Sequence, residues 1–329
     1  NMIIYPWNYE NHYTADSLMY VKLGETMTYY NNYRYGTVAE TYGYQCNGDA
    51  DDWGYGEQNT KNKIISLTGE VGSMDDGFWP DVDRIIPLCK DAIWTNLAIA
   101  HFAHAFPEYT DLSSKLIDSQ DDYLKFEIKN IGLKENANFN ISFNPISSNV
   151  SFIQNSFDVT NLSNMDALID SVEYQINTDL AIDNIVFEIA ISNDNYVFRD
   201  TIEKIFATKN ILVHDDCESL ENWDGNWDIT DEDSFSGNFS ITDSPNSNYG
   251  IFNNKALEYI HEINLENSVY AFVNFMFKMN TEHNHDYVQF FASVDEGDSW
   301  IPLCGRYSKY GSDDEDEGQP VYHGSNSQW

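Results

Sequence analysis

The stretch Ile64-Ile65-Ser66-Leu67-Thr68-Gly69-Glu70 joins an apolar run of strand length to a carboxylate placed directly after it. Residues 64–68 have the composition of a buried strand, and Gly69 marks its end. Polar groups at the edges of rigid elements often carry the chemistry of a protein. Because a carboxylate beside apolar walls can have a raised pKa and act as a general base, Glu70 is a candidate catalytic residue. A solvated loop residue is the alternative interpretation.

Around this stretch, residues 1–105 have the pattern of an α/β segment. Residues 2–5 form a short apolar strand, and Thr14 and Asp16 precede a helical apolar period. A Gly- and Asp-rich loop follows over residues 36–63, with an aromatic part that includes Tyr42, Tyr44, Asp51, Asp52, Trp53 and Tyr55. A last helix is predicted for residues 82–104, with an apolar side formed by Ile85, Ile86, Cys89, Ile93, Leu97 and Ala100.

After Pro107 the apolar period changes from helical to two. Residues 123–128, 139–143 and 185–191 alternate or run apolar at strand length, and Asn and Gly turns separate them. The sequence therefore predicts an antiparallel sandwich of immunoglobulin-like size over residues 106–208.

A second all-β unit is predicted for residues 209–329. Its expected strands include residues 270–277 and 287–293. The acidic tract 313–317 that follows is predicted to be a solvated loop. The fold class is thus multidomain, an α/β segment followed by two all-β modules.

Charge and composition exclude several classes of function. The chain of 329 residues has 54 acidic and 17 basic residues, a formal net charge of −37, which repels the phosphates of nucleic acids and anionic lipid surfaces. A hydrophobic content of 42% with 15% aromatics is that of a folded protein. No run reaches the roughly 18 apolar residues of a membrane span, so no nucleic-acid partner and no membrane span are expected.

The four cysteines, Cys46, Cys89, Cys217 and Cys304, lack the spacing of a zinc site. One disulfide within the first segment and one within the last are compatible with their positions. Free thiols are the alternative, and the count leaves both open.

Six short motifs resemble a known family in their order and spacing. They resemble the C-terminal third of zinc carboxypeptidases of the pancreatic A/B and bacterial T type, over residues 1–105. The motifs are Tyr5-Pro6-Trp7, Tyr44-Gln45-Cys46-Asn47-Gly48, Asp51-Asp52-Trp53-Gly54-Tyr55, Thr68-Gly69-Glu70, Gly77-Phe78-Trp79-Pro80 and Ile85-Ile86-Pro87.

This resemblance implies a role for four residues. Glu70 matches the glutamate that deprotonates the zinc-bound water and then protonates the leaving amine. Tyr44 matches the mobile tyrosine that contacts the C-terminal end of the bound peptide. Asp51 falls at the base of the specificity pocket, which Thr68 also lines, and an aspartate there resembles the B-type enzymes that remove C-terminal Lys or Arg. A carboxylate that selects a cation agrees with this, although so acidic a composition also explains the acidic pair at residues 51–52.

The family's zinc ligands are expected upstream of Asn1. The family holds zinc with an H-x-x-E pair and a later histidine that stands a few residues before the Tyr-Pro motif, and the eight histidines of the chain match none of these positions. Both ends of the sequence resemble cuts through folded units. The fragment alone is therefore expected to be inactive, whereas the complete enzyme would bind Zn²⁺.

The two β modules resemble parts of secreted bacterial peptidases. Residues 106–208 are similar to immunoglobulin-like spacers, and residues 209–329 to a partial jelly roll of the immune inhibitor A and MAM type. Asp215, Asp216 and Glu218 are candidate calcium ligands because Ca²⁺ takes oxygen ligands. A solvated acidic turn is the alternative interpretation.

Two functions follow from these patterns. The first is a bacterial metallocarboxypeptidase, secreted or at the cell surface, that hydrolyses C-terminal residues of peptides or proteins. The second is an inactive adhesion or structural protein whose β modules bind surface or secretion-machinery partners. An H-x-x-E motif with a further histidine upstream of Asn1 would favour the enzyme, and its absence would favour the binding protein.

Overall fold

The computed structural model of the chain describes residues 1–10, 12–180, 184–282, 285–312, 314–326 and 329. The chain forms two compact units. The first unit contains Asn1–Thr208 and Thr281–Gly324, and the second contains Lys209–Asn280 and Ser325–Trp329. Within the described residues, no helix has both the length and the apolar character that a membrane crossing requires.

A three-stranded sheet in the order β2-β1-β3 carries Glu70. Its strands are β1, Met2–Ile4, β2, Arg34–Gly36, and β3, Thr68–Glu70. β1 pairs in parallel with β2 and antiparallel with β3, with Met2 opposite Glu70. Every residue of β1 is buried, as expected for the central strand of a sheet that is covered on both faces.

Helix α1, Ser17–Thr28, forms the crossover between the parallel strands β1 and β2. The predicted helix is confirmed, and its buried residues include Leu23 and Met27, but its predicted apolar side is only partly buried, since Leu18 is exposed. Gly24 lies so close to Tyr35 that an added Cβ would be 2.3 Å from a ring carbon. Glycine at this position therefore allows α1 to pack against β2.

The loop predicted for residues 36–63 is partly wrong, because it contains two short helices. They are α2, Val38–Thr41, and α3, Ala50–Gly56. Thr37 and Glu40 form a capping box at the start of α2, and Asp49 accepts a hydrogen bond at the start of α3. These side chains satisfy main-chain N–H groups that would otherwise have no partner, and so stabilise each first turn.

The strand predicted for residues 64–68 is also displaced. Only Thr68 of this run lies in β3, and Glu70 is the last residue of the strand and not a loop residue after it. Residues 64–67 have no strand assignment, because the described β1 is short and pairs only with residues 68–70.

The single helix predicted for residues 82–104 is divided at Ala92. It forms α4, Val82–Asp91, and α5, Ile93–Phe102. The predicted apolar side is exposed at Ile86, and the buried residues are Leu88, Ala98 and Phe102. The indole N–H of Trp94 donates to the Thr26 carbonyl at 2.6 Å. Such contacts with α1 determine which face of α5 is buried, and this face is not the one that the apolar period predicted.

Two sheets form a sandwich over residues 107–206. The first has the order β4-β6-β10-β8, and the second has the order β5-β12-β11-β7-β9. The strands are β4, Pro107–Asp111; β5, Leu116–Ile117; β6, Asp121–Asn130; β7, Ala137–Pro145; β8, Val150–Phe152; β9, Ser156–Leu162; β10, Ala167–Ile176; β11, Asn184–Ser192; and β12, Val197–Phe206.

Alternating side chains from both sheets meet in one core. In β6, Leu124, Phe126 and Ile128 are buried between more exposed neighbours. Phe143 of β7 in the other sheet packs against Phe126 with ring centroids 5.2 Å apart. The period-two pattern thus confirms strands with one buried face in this region.

After residue 208 the described strands are short pairs. The second unit contains β13, Trp223–Gly225; β14, Asp228–Thr230; β15, Ser240–Thr242; β16, Leu257–Tyr259; β17, Met279–Asn280; and β22, Ser325–Asn326. Residues 281–324 of the first unit contain β18, Phe291–Ala292; β19, Ile301–Pro302; β20, Lys309–Tyr310; and β21, Pro320–Val321. The strand predicted for residues 270–277 is wrong, since Phe272 and Phe275 are exposed and no ladder includes them.

The disulfide alternative is corrected, and the prediction of a solvated acidic loop is corrected at Glu315, whereas Asp314 and Glu317 are exposed as expected. All four cysteines are free thiols, and Cys89 and Cys304 are exposed. In the acidic tract, Asp313 lies outside the described residues, but the side chain of Glu315 is fully buried and pairs with His323. Burial would raise the pKa of Glu315, but hydrogen bonding and the charge of His323 hold it below its usual value.

Candidate active site

Glu70 lies at the exposed end of β3 and contacts a tyrosine. β3 fixes its main chain opposite Met2. The Tyr42 hydroxyl hydrogen-bonds to the Glu70 side chain, and burial together with this bond and the charge of Glu70 raises the pKa of Tyr42 to about 12. Tyr42 therefore stays protonated at neutral pH and donates to the carboxylate.

Tyr44 lies beside this pair. Its ring centroid is 5.4 Å from that of Tyr42, and the side chain is exposed. Gly43 between them has φ +77°, a left-handed conformation that glycine adopts readily. The turn places both rings together, so the structure brings Tyr44 close to Glu70 through Tyr42.

Asp51 is buried in the first turn of α3. The residue is only 4% exposed, and its main-chain N–H donates to Asp49 Oδ1 at 2.9 Å. Burial raises the pKa of the Asp51 carboxyl group to about 6, a hydrogen bond from Thr68 opposes this shift, and the charges of Asp49 and Asp52 add to it. Among the described residues, Asp51 Oδ2 has no hydrogen-bond partner.

The bond between Asp51 and Thr68 links this carboxylate to the strand that carries Glu70. Thr68 and Glu70 are two residues apart in β3, so their side chains leave the same face of the strand. Ser66 Oγ also donates to the Asp51 carbonyl at 2.9 Å. The structure therefore links Asp51 to Thr68 on the strand that carries Glu70, whereas Tyr44 is connected to Glu70 only through Tyr42.

Two further residues of this region were not singled out from the sequence. Tyr42 is one, and the signal for it was only its place two residues before Tyr44. Asn8 is the other: it is fully buried, and neither its amide nitrogen nor its amide oxygen has a hydrogen-bond partner among the described residues. Its main chain is bonded to Cys46 and Asp52, so it lies against the loop and helix that carry the site. A buried amide with no partner is costly, so Asn8 is a site of local destabilisation in this region.

The described residues do not provide a zinc site. Across residues 1–10, 12–180, 184–282, 285–312, 314–326 and 329, no group of three or more His, Cys, Asp and Glu side chains is arranged to hold a metal ion. Glu70 has a tyrosine for a neighbour, and Asp51 has a threonine. The residues present therefore do not fit zinc by themselves.

The candidate calcium residues are engaged in local turns. Asp215 accepts from the Cys217 N–H at 2.8 Å, and Asp216 accepts from the Glu218 N–H at 3.2 Å. Glu218 in turn accepts from the N–H groups of Asn238 and Phe239. Such bonds stabilise turns whether or not an ion binds, so this geometry favours the acidic-turn alternative while calcium binding stays a prediction.

Residues 1–95 match the family model described as zinc carboxypeptidase. The resemblance that the motifs indicated is thereby confirmed for this part of the chain, which places a carboxypeptidase-type segment at the N-terminus of a mixed α/β and β structure.

The solved structures that are similar to the chain resemble it too weakly to support a conclusion about its fold or function. Solved structures similar to the chain include a FixG-related protein from Vibrio parahaemolyticus, at 9% identity over 32% of this chain and 97% of that one, with a TM-score of 0.24. WR4, an MSP family member of C. elegans, has 6% identity over 32% of this chain and 100% of its own, with a TM-score of 0.22. The YadV chaperone has 10% identity over 60% of this chain and 99% of its own, with a TM-score of 0.25. No curated protein matches the chain.

Proposed function

We propose that the chain supplies the C-terminal part of the catalytic domain of a zinc metallocarboxypeptidase that removes C-terminal residues from peptides. The observation that carries this proposal is the link between the buried Asp51 carboxylate and Thr68, on the strand whose last residue is Glu70. The proton-transfer group then lies on one short strand, and the recognition group on α3 is hydrogen-bonded to the same strand, so that the two are positioned relative to each other, as catalysis requires.

Glu70 is the proposed proton carrier. Its exposed position at the end of β3 lets it accept a proton from an attacking water and return one to the leaving amine. The hydrogen bond from Tyr42 orients the carboxylate. Tyr44 lies next to Tyr42 and is the proposed contact for the C-terminal end of the peptide.

Asp51 is the proposed base of a pocket for a Lys or Arg side chain. An unpartnered carboxylate oxygen that is shielded from water binds a guanidinium or ammonium group strongly. Because the pKa of Asp51 is raised to about 6, the carboxyl group is charged at neutral pH but protonated in mild acid. Preference for basic C-terminal residues should therefore weaken as the pH falls below about 6.

Zinc would supply a Lewis acid for the scissile carbonyl in the complete enzyme. Since the described residues provide no zinc set, we propose that its ligands lie upstream of Asn1 and that this chain alone does not hydrolyse peptides. The β regions are proposed to act as spacer and binding modules of a secreted or surface enzyme. An inactive surface-binding protein remains the second candidate, supported by the same lack of a zinc set among the described residues.

The test uses the chain as it is and a longer polypeptide that carries the upstream part of the domain. We expect the longer protein, loaded with zinc, to release C-terminal Arg from peptides. Glu70→Gln should lower kcat by at least about a hundredfold while zinc content stays the same, since general acid–base groups contribute about 10²–10⁴-fold. A loss of well under tenfold with zinc bound would remove Glu70 from this role.

Asp51→Asn serves as the specificity variant. It should lower kcat/KM for C-terminal Arg but not for C-terminal Leu, whereas Asp122→Asn, in the sandwich, should change neither. Equal or better cleavage of Leu by the unsubstituted enzyme would refute the basic preference. If the longer protein binds no zinc and cleaves nothing, the inactive binding protein is the better account.

The calcium prediction has a separate test. Ca²⁺ should raise the thermal midpoint of the chain, and Asp215→Asn should abolish that rise, because a ligand that binds only the folded state stabilises it. An identical midpoint in Ca²⁺ and in chelator would exclude the site.

A further inference from the structure

A widely open cavity of about 470 Å³ lies near α3. It is lined by the aromatic residues Trp7, Tyr9 and Trp53 and by the polar residues Asn47, Asp49 and Asp52, among others. Tyr44, Asp51, Thr68 and Glu70 are not among its lining residues. Its volume falls within the range of about 300–1,000 Å³ that is usual for ligand pockets.

The aromatic wall is held in place by its own packing. The Trp7 ring meets Tyr9 edge-on at 5.4 Å and Tyr55 edge-on at 5.1 Å between centroids. An added Cβ on Gly56 would lie 2.5 Å from the Trp7 ring. Glycine at this position of α3 therefore lets the indole lie against the helix, and the wall of the cavity depends on it.

The charges around the cavity are unbalanced. Two carboxylates, Asp49 and Asp52, contribute to the lining, and none of its lining residues is Lys, Arg or His. Asp52 accepts hydrogen bonds from the N–H groups of Asn8 and Tyr9, which fixes the Trp7 loop to α3. A cavity with acidic groups and aromatic faces attracts cations and repels anions, the more so in a chain with a net charge of −37.

The chain itself places a cation on one of these aromatic residues. The Lys61 ammonium lies 4.9 Å from the centroid of the Trp53 ring, and it donates to the Gly54 carbonyl at 2.5 Å. The Trp53 indole is otherwise largely exposed, and a ligand cation at this ring would compete with Lys61.

We propose that this cavity is a binding site for an alkylammonium or guanidinium group, such as the side chain of a lysine or arginine. Trp7 and Trp53 provide the faces for a cation–π contact, and Asp49 provides the compensating charge. The inference does not rest on the proposed function, because none of the residues proposed for peptide hydrolysis lines the cavity.

The test is a calorimetric titration of the full chain at low salt. The ligands are a tripeptide with a central arginine, blocked at both ends, and the same peptide with citrulline, whose side chain has similar shape but no charge. We expect saturable binding of the arginine peptide and at least about tenfold weaker binding of the citrulline peptide, because only the former can form charge-assisted contacts.

Two variants retain the fold and test the site. Trp53→Leu keeps an apolar side chain without the aromatic face, and Asp49→Asn removes the charge while keeping a residue that caps α3 equally well. Each should weaken binding at least about threefold, with an unchanged circular dichroism spectrum. Asp122→Asn, in the sandwich, should leave the affinity unchanged. Equal affinities for the two peptides, or binding that Asp122→Asn removes and Trp53→Leu does not, would overturn the proposal.

Discussion

The sandwich of residues 107–206 and the segment of residues 71–86 differ in where their apolar side chains lie. Phe126 and Phe143 of the sandwich are completely buried. Met74, Phe78 and Trp79 are 99%, 99% and 94% exposed. Both regions are rich in large apolar residues, but only the sandwich buries these side chains.

This difference separates a region that completes its core from one that does not. Single exposed apolar residues are common on protein surfaces, but several along one segment mark a surface that is normally covered. Within the described residues nothing covers Phe78 or Trp79. The contrast agrees with the proposal that the chain supplies only the C-terminal part of a catalytic domain.

The largest effect is expected in the sandwich core. Phe126→Ala should lower the free energy of unfolding by about 3–5 kcal/mol, because it leaves a cavity where the ring is fully buried. Its ring contacts Phe143 at 5.2 Å and Tyr109 at 6.0 Å between centroids. Urea unfolding of the chain followed by far-ultraviolet circular dichroism measures the loss.

Tyr123→Ala is the matched control in the same strand. This tyrosine is 58% exposed, so its removal should change the free energy of unfolding by no more than about 0.5 kcal/mol. Similar losses for the two variants would mean that β6 does not present one face to a core.

The second effect concerns the buried carboxyl group of Asp51. Its pKa in the folded chain is about 6, above the ordinary value of 3.8. Between pH 3.8 and about 6, the Asp51 carboxyl group therefore binds fewer protons in the unfolded state than in the folded state. The stability that this group contributes is present at low pH and is lost as the pH rises through about 6. Asp51→Asn should therefore change the free energy of unfolding more favourably at about pH 8 than at about pH 4. The difference between the mutational effects at the two pH values should be about 1–2 kcal/mol after allowance for solvent screening.

Thr68→Val sharpens this measurement. It removes the hydrogen bond that lowers the pKa of Asp51, so the pH at which stability falls should move upward. Thermal unfolding of the three proteins from acid to mildly basic pH gives both values. A difference between the unsubstituted chain and Asp51→Asn that does not vary with pH would show that Asp51 is not shielded from water.

Local periodicity predicted the parts of the fold whose partners lie within the described chain. The helical period before Tyr30 gave α1, and the alternation of residues 123–128 gave a strand with one buried face. In both, the buried apolar side chains have neighbours to pack against, although Leu18 and Tyr123 are exposed. The helical period of residues 82–104 predicted that Ile86 is buried, but Ile86 is exposed. Burial of an apolar face requires a partner, which the pattern alone does not provide.

The candidate site was predicted in a similar way. Family motifs singled out Tyr44, Asp51, Thr68 and Glu70, because those positions are set by spacing along the sequence. The bond from Tyr42 to Glu70 and the buried amide of Asn8 depend on which loop packs against which strand. Such contacts between distant residues have no signature in a single sequence.

The smallest effect is expected at the exposed apolar segment. Phe78→Ser and Trp79→Ser should each change the free energy of unfolding of this chain by less than about 0.5 kcal/mol, since neither side chain loses a buried contact. Binding of a fluorescent dye that reports exposed apolar surface should decrease in both variants, whereas Tyr123→Ser in the sandwich should alter it little.

These two positions decide how the contrast is to be interpreted. A destabilisation of 2 kcal/mol or more, about the value of a buried large apolar side chain, would mean that Phe78 or Trp79 is covered in solution and that the two regions do not differ. If the substitutions are neutral here but destabilise a longer polypeptide that includes the upstream part, the segment is an internal surface of the complete domain. Because burial requires a partner, the same side chain would then stabilise one protein and leave the other unchanged.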